Sequence, residues 1–93
     1  MNANDIIKRA DKVTFKVVDG QAIILDLENG SYFSLNNVGT DFWESLDGKH
    51  TIAQHAAVIA DSYHTDHTRV IADLLELAEE LSESGLIVRI NQS

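Results

Sequence analysis

"KVTFKVVDGQAIILDLENGSYFSLN", residues Lys12 to Asn36, decides the fold. Apolar and polar side chains alternate along it with period two, the signature of half-buried strands. The turn tripeptides "VDG" and "ENG" interrupt it twice, which cuts it into three strands joined by hairpins. Each turn reads as a three-residue loop ending in a left-handed glycine, Val18 to Gly20 and Glu28 to Gly30. That register pairs Phe15 with Ile23 and Val13 with Leu25 in the first hairpin. It pairs Leu25 with Phe33 and Ile23 with Leu35 in the second. Val13, Phe15, Val17, Ile23, Leu25, Leu27, Phe33 and Leu35 then share one face. A two-residue Asn29-Gly30 loop instead sets Asp26 opposite Phe33. A one-residue slip would turn the apolar set into water, so the three-residue loops are the expected form.

Strand order 1-2-3 leaves the first and third strands as edges. The first carries Lys12 and Lys16, residues that discourage pairing with foreign strands. The third, Ser31, Tyr32, Phe33, Ser34 and Leu35, carries no Lys, no Pro and no charge. It reads as an open edge suited to accepting another strand.

Helices follow the strands. Asn36 or Asn37 can cap the first, "NNVGTDFWESLDG", with Gly48 as its end. Val38, Phe42 and Leu46 form its apolar stripe. The second starts at Thr51, with Gln54 three residues on in a capping-box pattern. It runs its stripe through Ile52, Ala56, Ile59, Ala60 and Tyr63. The third starts near Thr65 or Asp66 and reaches Ser84, with Gly85 as its stop. A short apolar tail, "LIVRI", comes after it. Residues 1–11 read as a flexible polar lead-in, and residues 12–93 as a single domain, since a chain this short closes one core. The expected fold is α+β, a three-stranded antiparallel meander followed by three helices on one face.

The third helix is more apolar than a surface helix needs to be. Val70, Leu74, Leu77 and Leu81 fall on one stripe, and Ile71, Leu75 and Ala78 on a second. Together they span about 160°, against roughly 100° for a helix that faces a core with one side. Asp73, Glu76, Glu79, Glu80 and Glu83 fill the remaining face. Two readings follow: both stripes are buried in a small core, or one floors a groove beside the third strand. In the second reading Val70, Leu74 and Leu77 are the groove side, with Asp73 at its border to meet a basic residue. A peptide would pair its backbone with the strand and drop apolar side chains onto the helix.

Composition narrows the remaining classes. Seven Lys and Arg against fifteen Asp and Glu leave a net charge of −8, which repels phosphate backbones and argues against nucleic-acid binding. Such a surface suits a basic or neutral peptide. The absence of cysteine removes disulfides, thiolate nucleophiles and sulfur metal sites, and fits a reducing cytoplasm. The N-terminus "MNANDIIKRADK" has no long apolar stretch of the kind a signal peptide or membrane anchor needs. His64, Asp66 and His67 straddle the gap between the second and third helices, but fall short of the four ligands of a structural metal site. His50 and His55 read as surface residues, and Trp43 as a rim to the core. No Gly-rich phosphate loop is present. No catalytic residue, metal ligand or cofactor is assigned.

The stretches "LDLENGSYFSLNNVGTDFWESLDG", "TIAQHAAVIADSY" and "VIADLLELAEELSESGLI" resemble the PqqD-like family. Its members are the recognition elements of ribosomal peptide natural-product pathways. The similarity covers about Lys12 to Val88, and its most specific part is "YFSLN…W…LDG" followed by a late "D-L-x-x-L". The resemblance implies a winged helix-turn-helix-like fold that binds the leader segment of a precursor peptide. The leader adds as a strand to the third strand and lies against the third helix. Ser31 to Leu35 would then offer backbone groups, and Val70, Asp73, Leu74 and Leu77 would line the groove. The form "LDLENGSYFSLN" looks more like the leader-binding protein of lasso-peptide maturation than the pyrroloquinoline-quinone form. The implied partner is a separate cysteine protease that removes the leader, or a radical enzyme in a quinone-cofactor or thioether-peptide pathway.

Two rival readings use the same features. A winged-helix DNA-binding protein shares the fold, yet its third helix would carry only Arg69 against five acids. A homodimer, stable or weak, would pair the third strand with its own copy.

Overall fold

Asp19 and Gly20 both adopt positive φ, 53° and 77°, and form a two-residue hairpin turn between Val18 and Gln21. The computed structural model describes residues 1–90; the end of the expected domain, residues 91–93, lies outside the described residues. In chain order the elements are β1 (Ile6–Arg9), β2 (Val13–Val18), β3 (Gln21–Asp26), β4 (Tyr32–Ser34), α1 (Asn37–Ser45), α2 (Ile52–Tyr63), α3 (His67–Glu83) and β5 (Ile87–Ile90). The architecture is α+β, with antiparallel strands followed by three helices.

The meander has the expected order, β2-β3-β4, but not the expected register. The first turn is the two-residue Asp19-Gly20 loop rather than three residues, so Phe15 pairs with Ile24 and Val13 with Asp26. The second loop spans Leu27 to Gly30, and Ile24 pairs with Phe33. The middle strand is therefore turned over. Ala22, Ile24 and Asp26 are buried, while Ile23 and Leu27 are exposed. The outer strands keep the expected face, with Phe15, Ile24 and Phe33 in one row.

An ion pair permits the inversion. The Asp26 carboxylate is 1% exposed, and Lys12 Nζ lies 3.0 Å from its Oδ2. The backbone N–H of Glu28 donates to Oδ1 at 2.9 Å. The Lys12 ammonium, with the N–H groups of Glu28 and Asn29, holds the carboxyl below its ordinary range against the opposing effect of burial. The same contact with Asp26 raises Lys12. A buried charge is tolerated only when it is compensated in this way.

The lead-in expected to be flexible contains a strand. Ile6–Arg9 pairs antiparallel with Ile87–Ile90, and Ile6 and Ile7 are buried. The "LIVRI" tail thus becomes half of a second, two-stranded sheet. Trp43 is a further correction: it is fully buried, not at the rim, with the Phe15 ring edge-on at 5.8 Å. His55 is also buried, between Phe42 and His50; burial pulls its pKa down, with Asp47 opposing the shift.

The helix ends follow their capping chemistry. Asn36 Oδ1 accepts from the Gly39 N–H at 2.8 Å. The Thr51–Gln54 capping box is formed in both directions. Asp66 caps α3, and Gly85 leaves it with φ 73°. Helix α1 stops at Ser45, before Gly48. Its Thr40 is buried and accepts a hydrogen bond from the Ala22 N–H at 2.7 Å, which ties α1 to the end of the β3–β4 ladder. Among the described residues no helix is long and apolar enough to cross a membrane.

Candidate functional site: the groove between β4 and α3

Strand β4 is an edge, and its hydrogen-bond ladder states which groups are free. The Asp26 N–H donates to the Ser31 carbonyl at 2.9 Å, and the Leu35 N–H donates to the Ala22 carbonyl at 2.9 Å. Bonding alternates along an antiparallel pair, so Phe33 completes the set facing β3. Tyr32 and Ser34 are left with N–H and C=O turned away from the sheet. Of the five strand residues singled out in the sequence, two present free backbone groups and three are held in the ladder. The side chains divide the other way. Leu35 is buried and Phe33 half-buried on the helix side, whereas Ser31, Tyr32 and Ser34 are exposed.

Beside this edge lies a groove of about 560 Å³. Phe33, Ser34 and Leu35 form one wall, and Val70, Asp73, Leu74 and Leu77 line it from α3. The structure therefore brings Phe33, Ser34 and Leu35 together with the four α3 residues around one cavity, while Ser31 and Tyr32 lie outside its lining. Leu74 is at the floor, 1% exposed, while Leu77 is half-buried and Asp73 stands exposed at the rim. The two stripes of α3 are not separated as drawn from the helical wheel. Val70, Leu74, Ala78 and Leu81 are buried, and Ile71, Leu75 and Leu77 are partly so. The wide apolar arc serves the core and the groove at once.

Other lining residues were read as core or passed over. Val38 and Gly39 of α1 and Ile59 and Tyr63 of α2 contribute to the walls. The stripes of the first two helices contained Val38, Ile59 and Tyr63, but periodicity alone does not tell a groove wall from a core. Gly39 has a specific role. A Cβ there would stand 3.2 Å from Leu77 Cδ2 and 3.3 Å from Asn36 Oδ1, so glycine lets α3 approach α1. At one end the Tyr63 hydroxyl donates to Asp41 Oδ2 at 2.6 Å, and that carboxylate contact raises the phenol's pKa. The rim is charged, and Arg69, Asp73 and Glu80 are all carried on it by α3.

Of the histidines near the helix junction, His67 is engaged locally, its Nε2 lying 2.7 Å from Asp61 Oδ1. Among the described residues no three His, Asp or Glu side chains gather as a metal site would require.

Residues 21–87 match the family of coenzyme PQQ synthesis protein D, PqqD. The chain belongs to the PqqD family. That match begins in β3 and ends in β5, so it contains β4, α3 and the whole groove. Two solved structures share this PqqD-type fold. TbiB1 in complex with the TbiA(beta) leader peptide aligns with a TM-score of 0.77 and 28% identity, over 86% of this chain and 93% of that one. A lasso peptide synthetase B1 complexed with the leader peptide aligns with a TM-score of 0.77 and 22% identity, over 88% of this chain and 96% of that one. No curated protein matches the chain by sequence.

Proposed function

We propose that this protein binds the leader segment of a ribosomally made precursor peptide, taking it as an added strand on β4 with alternate side chains in the α3 groove. The single observation that carries the reading is the meeting of two features at one place. The free edge of β4 runs through Tyr32 and Ser34, and Ser34 itself borders an apolar groove lined by Val70, Leu74 and Leu77. The likeness to a leader-bound chain at 28% identity supports the same occupant.

The energetics are adequate for a module that must hold and release. Each strand hydrogen bond adds a net ~0.5–1.5 kcal/mol, and each apolar side chain buried in the groove about 1.5–3 kcal/mol. Two or three anchors, less the cost of ordering a flexible leader, give binding on the order of micromolar. Asp73 and Glu80 at the rim favour a basic residue in the leader. The bound precursor is presented to a separate enzyme, the leader protease of lasso-peptide maturation in the reading favoured here. The protein itself acts without catalysis or cofactor, in the cytoplasm, as a monomer or a weak dimer.

The test is a fluorescence-anisotropy titration with the leader half of the precursor encoded nearest this protein. A scrambled leader serves as control. The expected result is saturable binding of the native leader alone. Equal binding of both peptides, or none, would sink the proposal.

A further inference from the structure

The sheet has a second open edge. Strand β2 is six residues long, twice the length of β4, and Thr14 to Val18 are all exposed. The Leu27 N–H donates to the Lys12 carbonyl at 2.8 Å. By the same alternation Thr14, Lys16 and Val18 bond to β3, which leaves Val13, Phe15 and Val17 with outward N–H and C=O groups. Phe15 and Val17 are each more than a third exposed, so the free backbone is edged by apolar surface.

The charge around this edge runs against the rest of the molecule. Four of the seven basic residues, Lys8, Arg9, Lys12 and Lys16, lie within residues 8–16. Lys12 is paired with Asp26. Among the described residues Lys8, Arg9 and Lys16 have no carboxylate within ion-pair distance, in a chain with fifteen acids. The Arg9 guanidinium stands 5.2 Å from the centroid of the Phe15 ring. The nearby acids in sequence, Asp11 and Asp19, sit beyond the two ends of the strand.

We infer that the β2 edge docks an acidic, extended segment of a second protein, separately from the peptide held at β4. Backbone pairing with Val13, Phe15 and Val17 gives the segment its register, and a carboxylate beside Arg9 on the Phe15 face, or beside Lys16 on the opposite face, gives it its sign. A second copy of this chain fits worse. Self-pairing of β2 through a two-fold axis brings the same basic flank, Arg9 and Lys16, up to its own copy, and like charges across an interface oppose association.

The probe is a capped eight-residue peptide alternating glutamate with valine, set against the same peptide with lysine at every glutamate. Amide shifts of the labelled full chain are followed by NMR. The acidic peptide moves the Val13, Phe15 and Val17 amides and binds at least tenfold more tightly than the basic one. The exposed variant Lys16→Glu removes that preference without touching the core, and Val17→Pro abolishes the shifts. Equal affinity for both peptides, binding of neither at millimolar concentration, or shifts confined to Tyr32 and Ser34 overturns the inference. Concentration-dependent shifts at Val13, Phe15 and Val17 without peptide also overturn it, in favour of self-pairing. None of these outcomes bears on the leader at β4, whose reporters are different amides.

Discussion

The two edges of the three-stranded sheet differ in everything except their open hydrogen bonds. Strand β4 is short, but its inward side chains Phe33 and Leu35 border a helix-lined cavity with an acidic rim. Strand β2 is long and exposed, with the basic residues Arg9 and Lys16 beside it. An edge therefore gains selectivity from what stands next to it. At β4 that neighbour is α3, which supplies shape; at β2 it is charge, which supplies only sign. Shape discriminates among side chains more finely than charge does, which is the ground for proposing β4 as the leader's edge.

Substitutions can break that contrast, and the largest effect is expected at the groove floor. Leu74→Ala removes a buried side chain shared by groove and core, and should cost about 2–5 kcal/mol in urea denaturation. Phe15→Ala, at the half-open β2 edge, should cost clearly less. Leu77→Ala, half-buried, should weaken leader binding with little loss of stability, which makes it the better probe of the groove.

Next comes the pair that inverts the sheet. Asp26 has a lowered folded pKa, so its stabilising contribution is present above its ordinary value of 3.8 and is lost as pH falls through the folded value. Lys12 is raised, so its contribution is present below 10.5 and is lost as pH climbs through its folded value. Lys12→Met should destabilise the protein across the neutral range and move acid unfolding to higher pH. Denaturation midpoints measured against pH check this; a parallel, pH-independent offset would refute the assignment.

A backbone test separates the two edges directly. Ser34→Pro deletes an outward N–H without removing a β3–β4 bond, and should lower leader affinity at least tenfold, or about 1.4 kcal/mol. Val17→Pro makes the equivalent change at β2 and should leave leader affinity unchanged. The smallest effect is expected at the corner after β4. Asn36→Ala removes the α1 cap and should cost about 1 kcal/mol, with a similar loss in thermal unfolding measurements and a modest drop in leader affinity.

Much of this contrast was legible in the sequence, and the exceptions have physical causes. The three strands of the meander, the open edge at its third strand, the Thr51–Gln54 box and the Gly85 stop depend on neighbours a few residues apart. The groove residues of α3 were legible because two apolar stripes exceed what one core contact needs. The β3 register was not, because polarity alone places Asp26 outside and only its pairing with Lys12 brings it in. The β1–β5 sheet joins Ile6 to Ile90, a contact no local pattern announces. Trp43 was misplaced because Phe42 precedes it on the helix; both are buried, since α1 has the sheet on one side and α2 on another. The free set at β4, Tyr32 and Ser34, required the ladder itself.

The most direct measurement is amide hydrogen exchange at Tyr32 and Ser34, with and without the leader peptide. Phe33 and Leu35 N–H groups should be protected in both states, held by β3. Tyr32 and Ser34 should exchange rapidly in the free protein and slow at least tenfold when the leader binds. Protection that appears instead at Val13, Phe15 and Val17, or at neither edge, would contradict the placement of the leader on β4.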